Sequence, residues 1–286
     1  MVLQLLLNGL IYGSIIALGG IGLTLIYGIL NFGHFAHGDL MTLGAYLAYL
    51  FTVQLALPLP FSFVIAGLLT AATANLLDKI LYKKLEGRDS VTIMISAVGA
   101  ALIIRNLILM SWGPQLKFLE RGIEMPLVFF DGLLRITRTQ IMILILSVIF
   151  VTAVHLFLSK TKLGKAMRAM SDNTALAKIT GINTERVIFW TWFMSGILTS
   201  SAGIFLAMDT HLIPEMGWNL LLPMFAAVIL GGIGNPYGAI VGGLAIGISQ
   251  EISTMFIAAS YKPAVAFAIM ILMLLVKPSG LMGKKV

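Results

Sequence analysis

Nine apolar runs, near residues 3–27, 36–57, 61–81, 91–111, 139–158, 187–208, 218–233, 237–257 and 263–276, alternate with short polar intervals along the chain. A helix that crosses a bilayer takes ~20 predominantly apolar residues. Most of these runs therefore predict transmembrane helices, while the seventh and ninth are short enough for half-helices or re-entrant segments. The pattern predicts an all-α polytopic membrane protein of eight to ten transmembrane or half-membrane helices. No linker divides it, so residues 1–286 read as one membrane domain. The longest interval, 112–138, carries Trp112-Gly113-Pro114 and Pro126 and reads as a loop with room for a short surface element.

Two junctions between runs break the helical pattern. "NFGHFAHGD" at residues 31–39 puts two histidines, an aspartate and two glycines between the first two runs. "GGIGNPYG" at 231–238 breaks it between the seventh and eighth, because proline lacks a backbone N–H and disfavours helix at the residue before it. Irregular backbone at membrane depth is tolerated where it is buried or lines a cavity. Two breaks, one in each half, predict discontinuous helices and a possible internal repeat of the kind transporters use. Glycines at four-residue spacing, Gly9 and Gly13 in the first run and Gly234, Gly238, Gly242, Gly243 and Gly247 near the end, predict ridges along which helix backbones approach closely.

Charge assigns the sides. Lys79, Lys83, Lys84 and Arg88, then Lys160, Lys162, Lys165, Arg168, Lys178 and Arg186, then Lys277, Lys284 and Lys285 all fall on one side if the nine runs alternate. Lys117, Arg121, Arg135, Arg138 and Lys262 fall on the other. The positive-inside bias makes the first side cytoplasmic and leaves the amino terminus outside. Composition agrees with a membrane protein: 59% of residues are hydrophobic, 11% are charged and mean hydropathy is +0.99. The net charge of +7 thus marks cytoplasmic loops rather than nucleic-acid binding, and the absence of cysteine excludes disulfides and thiolate metal sites. The first run lacks a basic start and is too long for a cleavable signal, so it reads as a first transmembrane segment.

Candidate chemistry is sparse. His34, His37 and Asp39 could hold a divalent ion or relay protons, but no further ligand lies nearby in sequence, and polar groups satisfying backbone freed at a helix break are the favoured reading. Glu251 lies within the eighth run beside Gln250; an ionisable group there is a functional candidate by default, with Lys262 or Arg105 as structural partners. Arg105 and Asn106 read as snorkelling toward the outer interface, His155 as a packed histidine, and Trp112, Trp190, Trp192 and Trp218 as interfacial anchors. No nucleophile, phosphate loop or haem motif can be assembled, so the chain reads as a non-enzyme.

The interval 160–186 is organised. Residues 164–170 predict a basic amphipathic helix, Ser171-Asp172-Asn173-Thr174 offers caps for a second helix at 174–180, and Gly181 suits its end. This is either a basic interfacial loop or a docking element.

"NGLIYGSIIALGGIGLTLIYGILNFGHFAHGDLMTLGAYLA", "GKAMRAMSDNTALAKITGINTERVIFWTWFMSG", "AAVILGGIGNPYGAIVGGLAIGISQE" and the ending "KPSGLMG" resemble the membrane subunit of branched-chain amino acid ABC importers, the LivH-type permeases. The likeness runs from about residue 8 to 283 and is strongest to permeases of cyanobacterial neutral amino acid uptake systems. It implies a multi-pass protein of the bacterial inner membrane, working with a second related permease, two cytoplasmic ATPases and an external solute-binding protein. ATP and magnesium would sit on the ATPases, leaving this chain without cofactor or metal. The resemblance makes 160–186 the cytoplasmic coupling loop, through Arg168, Asp172, Ala175, Ala177, Lys178 and Gly181; the family's loop pattern falls on Ala175, Leu176, Ala177 and Gly181, with Ala175 where it has a glutamate. It also implies that the breaks line the translocation route, through Asn31, Gly33, His34, His37, Gly38, Asp39, Gly234 and Asn235, with Glu251 added on its intramembrane position. Urea importers use similar membrane subunits, and an ion-coupled secondary transporter built on Glu251 and the histidines is the alternative from another class.

Overall fold

The computed structural model describes residues 2–119, 124–129 and 134–283; Arg121, Lys284 and Lys285 of the charge pattern lie outside them. Every apolar run is a helix. They are α1 (Val2–Leu30), α2 (His37–Tyr49, extended by a π-helical turn Leu50–Gln54), α3 (Leu59–Leu77, continued by a π-helical turn Asp78–Tyr82), α4 (Ser90–Trp112), α5 (Arg138–Lys160), α8 (Thr184–Asp209), α9 (Met216–Gly231), α10 (Pro236–Ser253) and α11 (Lys262–Val276). Six of the helical stretches are long and apolar enough to cross a membrane, and α2, α9 and α10 complete an all-α polytopic membrane protein. The interval 160–186 forms α6 (Lys162–Asp172) and α7 (Thr174–Ile179). In the interval 112–138 the surface element is a hairpin, β1 (Leu127–Phe129) paired antiparallel with β2 (Leu134–Ile136).

Helix α1 runs through the centre and is buried over most of its length, whereas α4, α5 and α11 present broad apolar faces outward. The glycine ridges explain how α1 is enclosed. A Cβ on Gly9 would meet the Ile248 backbone at 2.7 Å and one on Gly13 the Leu244 backbone at 2.9 Å, so α1 and α10 touch backbone to backbone where the sequence places small residues on both. The other ridge of α10, Gly238 and Gly242, lies against Gly231 and Ala227 of α9.

The two ends of the bundle differ in charge as alternation requires. At one end Lys83 reaches Glu185 at 2.7 Å, and Lys79, Arg88, Lys178 and Arg186 surround a cleft of about 850 Å³. The tail joins this basic end, with Leu281 and Met282 N–H groups donating to the Leu230 and Gly231 carbonyls at 2.8 and 2.9 Å. At the opposite end Gln4 exchanges two hydrogen bonds with the Arg135 backbone (2.9 and 2.8 Å), and Lys117 bridges Leu212.

The interior breaks differ from the sequence expectation in one respect. Gly232-Ile233-Gly234-Asn235 turns the chain between α9 and α10 at the basic end, beside Gly28 and Ser171, with Asn235 capping α10 through Tyr237 N–H (3.0 Å). The partner of "NFGHFAHGD" is instead the segment before α9. From the end of α1 the chain folds back in non-helical backbone to start α2 inside the bundle; from the end of α8, at the opposite end, it folds back to start α9 at the same level. Gly38 and Gly217 mark the meeting: a Cβ on Gly38 would lie 2.5 Å from the Gly217 carbonyl oxygen. Thr42 Oγ1 accepts the Gly217 N–H at 3.0 Å, tying one interior helix start to the other. From there α2 runs to the hairpin end and α9 to the basic end, the inverted arrangement of two short helices expected of a transporter built on a repeat.

Candidate functional site

The depth of the α2 start follows from one hydrogen bond. His37 Nε2–H donates to the Gly19 carbonyl at 2.9 Å, and Gly19 lies eleven residues before the end of α1, about 16 Å at 1.5 Å per residue. Thr199 Oγ1 of α8, which donates to the Ser195 carbonyl (2.7 Å), sits 3.1 Å from the same nitrogen. Ser195 in turn donates to the Gly22 carbonyl at 2.9 Å. The helix start is therefore pinned between α1 and α8 by bonds to backbone carbonyls.

His34 stands in an aromatic box. Its Nδ1 shares a 3.1 Å hydrogen bond with Tyr82 Oη; Tyr82 and Trp192 stack nearly parallel (4°) at 5.2 Å, and Trp192 meets the imidazole edge-on at 5.0 Å. Tyr82 closes the π-helical turn that follows α3, and π turns recur at functional positions. Asp39, in the first turn of α2, receives a two-pronged ion pair from Arg105 of α4, Nε to Oδ1 at 2.9 Å and Nη2 to Oδ2 at 3.0 Å. The guanidinium also lies 4.7 Å over the Trp218 ring at the start of α9. His34, His37 and Asp39 are fully buried, yet His34 Nδ1, His37 Nε2 and the Asp39 carboxylate turn to separate partners, and among the described residues no three such groups come together as metal ligands.

What this geometry builds is an interior crossing of two helix starts, braced by one ion pair, in a bundle of membrane-spanning helices. The model of the branched-chain amino acid transport system permease component family matches residues 5–274. The chain belongs to this family. It is 31% identical to the high-affinity branched-chain amino acid transport system permease protein BraD of Pseudomonas aeruginosa, over 99% of this chain and 96% of that one. Identity to the corresponding LivH of Escherichia coli K12 is 30%, with the same coverage. Among solved structures it is similar to PsaBC from Streptococcus pneumoniae in complex with Fab, with a TM-score of 0.56, 16% identity and coverage of 98% of this chain and 93% of that one; that likeness concerns the fold.

The permease distributes the residues expected along a route into three places. Gly33, His34, His37, Gly38 and Asp39 are at the interior crossing, with Asn31 at its basic-end entrance in left-handed backbone (φ 56°). Gly234 and Asn235 belong to the α9–α10 turn, where the Asn235 amide also donates to the Met282 carbonyl at 3.0 Å and so straps down the tail. Glu251 is not in the body of its helix. It lies two residues from the end of α10 and takes an ion pair from Lys262 at 2.5 Å, one of the two partners the sequence suggested.

Three other expectations are corrected. Arg105 points inward to Asp39 and does not snorkel outward; the buried carboxylate outweighs the interface as a partner. Trp192 is fully buried against Tyr82, and Trp218 lies under Arg105, so neither is a simple interfacial anchor. His155 is exposed on α5, within 2.8 Å of Tyr237 Oη. Tyr82, Thr199 and Gly217 escaped the sequence reading because each gains its role from a segment far along the chain.

The interval 160–186 folds as its caps predict. Asn173 Oδ1 accepts the Leu176 N–H at 2.9 Å, and Gly181 (φ +85°) lets the chain reverse into α8. Ala177 is buried, while Arg168, Asp172, Ala175 and Lys178 are exposed. Leu176 and Ile179 are exposed too, at 58% and 82%.

Proposed function

We propose that the chain is the membrane-spanning permease of an ATP-driven importer that passes branched-chain or other neutral amino acids delivered by an external binding protein. A second related permease completes the route, two ATPases bind at the basic end, and that end, with the carboxyl terminus, faces the cytoplasm. No cofactor or metal is assigned to this chain; ATP and magnesium belong to the ATPases. The observation that carries the reading is α7, a capped helix at the basic end whose outward face offers Leu176 and Ile179 to a partner. Exposed large apolar side chains on a short rigid helix are what a docking surface needs.

An ATPase can drive a membrane protein only by binding its conformations unequally, and α6–α7 is the handle. Gly181 provides a clean test. A side chain there would meet nothing within 4 Å, so Gly181→Val acts only through backbone strain at positive φ. The variant is expected to insert normally, to copurify less ATPase and to lose most substrate-stimulated ATP hydrolysis. Unchanged copurification and coupling for both Gly181→Val and deletion of residues 174–180 would sink the docking assignment.

Glu251 and Lys262, paired at 2.5 Å near one end of α10, are read as a structural clamp and not a proton path. With the membrane potential and pH gradient collapsed and ATP maintained, uptake is expected to continue at close to its normal rate. Uptake that stops there, and survives ATP removal, would replace this reading with ion-coupled transport.

A further inference from the structure

Just before α9, Glu215 is the N-cap residue of a helix start that lies inside the bundle, two residues from Gly217 and its contact with Gly38. The level of that contact is set by His37 on Gly19, about 16 Å from the end of α1, and Glu215 lies on the chain between it and the Lys117–Leu212 bridge at the opposite end. Its side chain is exposed on the outer face of the bundle, and among the described residues it has no ion pair or side-chain hydrogen bond. Arg105, the nearby cation on α4, has both of its bonds on Asp39. A charged carboxylate facing lipid carries a high cost, so such a group ordinarily faces water, a partner charge or a ligand.

The surface that continues from Glu215 is not uniform. Asn219 follows one turn on and is exposed; Leu222 follows at the next, 36% exposed. Phe225 then packs on Phe35 of the break at 5.3 Å and against Gly33. One stripe of α9 thus presents a carboxylate, an amide and then apolar side chains, ending on "NFGHFAHGD". That order fits a zwitterionic amino acid with an apolar side chain: ammonium on Glu215, carboxylate on the Asn219 amide, and the aliphatic part against Leu222 and the Phe225–Phe35 pair.

We infer that Glu215 is the ammonium-binding residue of the translocation route, and that this stripe of α9 is the wall of the route. The inference deepens the importer reading and rests on it. The absence of cysteine from the chain makes the test direct. In the assembled transporter in vesicles, Asn219→Cys is expected to react with a charged, membrane-impermeant thiol reagent, and leucine with binding protein and ATP is expected to change that rate. Glu215→Gln is expected to lower the maximal rate of leucine uptake at least about tenfold, the order of a lost charge-assisted hydrogen bond, while Glu215→Asp recovers part of it. Equal inertness of Asn219→Cys to the charged reagent, with reaction only toward a lipid-soluble one, overturns the inference. So does a Glu215→Gln variant with normal uptake, or one whose loss of uptake is matched by dissociation of the two permeases, which would make Glu215 an inter-subunit ion-pair residue. Failure of the wild-type complex to take up any amino acid with ATP would instead overturn the importer reading itself.

Discussion

Gly38→Leu is expected to abolish uptake and to lower the apparent unfolding temperature of the purified permease. The reason is the crossing of α2 and α9. A Cβ on residue 38 would lie 2.5 Å from the Gly217 carbonyl oxygen and 2.8 Å from its carbon. Both are backbone atoms, so no rotamer change can make room. The alternative is to part the two helix starts, which breaks the 3.0 Å bond from Gly217 N–H to Thr42 Oγ1 and strains the Arg105 stack on Trp218. Overpacking of a tight core typically costs about 1–3 kcal/mol, and a leucine against backbone belongs at or above the top of that range. Gly67 and Gly99 are the controls: a side chain at either meets nothing within 4 Å, and both lie within helices, where alanine is favoured over glycine by about 1 kcal/mol. Gly67→Ala and Gly99→Ala are expected to be neutral or stabilising. Near-normal uptake and melting for Gly38→Leu would show that the contact at the crossing is not a constraint.

The elements of this fold were legible for physical reasons that differ from place to place. Apolar runs announce membrane helices because the bilayer demands length and composition whatever the tertiary partners are. Asn173 and Gly181 announced the ends of α7 because capping is local, with donor and acceptor a few residues apart. The glycine ridges announced close packing but not its partner, since spacing marks a face and leaves open what meets it. Arg105 shows where local reading stops. Seven residues from the end of α4, it could reach the interface or turn inward, and only the buried Asp39, 66 residues away, decides. Glu215 was passed over because it lies between two apolar runs, in an interval that reads as a surface loop. The chain instead folds back there, and a loop by composition becomes backbone within the bundle. The same inward fold made "GGIGNPYG" look like the counterpart of "NFGHFAHGD", although the break at 232–235 turns at the basic end and the interior counterpart starts at Met216.

Loss of the Asp39 charge is expected to be as damaging as overfilling the crossing, for the opposite reason. Arg105 is largely buried, with 14% of its side chain exposed, and Asp39 is fully buried, so each is the other's compensation. Removing one partner of a buried pair typically costs about 3–5 kcal/mol, because the remaining charge is left uncompensated. In a protein of this size that corresponds to a fall of about 10 °C in apparent unfolding temperature. Asp39→Leu is therefore expected to melt well below wild type, and Asp39→Asn somewhat less so, since its amide oxygen can still accept one Arg105 bond. The Trp218 ring retains a cation–π attraction for the guanidinium but cannot supply the two directed acceptors. Arg105→Lys is expected to be intermediate, replacing a planar fork by a point charge. The double substitution Asp39→Leu with Arg105→Met separates stability from function: with both charges gone it is expected to melt closer to wild type than Asp39→Leu alone, yet to transport poorly, because the start of α2 has lost its brace to α4. Thermal unfolding of these four variants and of Arg105→Met alone, which closes the double-mutant cycle, and uptake by the assembled transporter are the measurements. Additive losses in the double variant would mean that the two residues act separately, and normal uptake by it would mean that the ion pair has no part in transport.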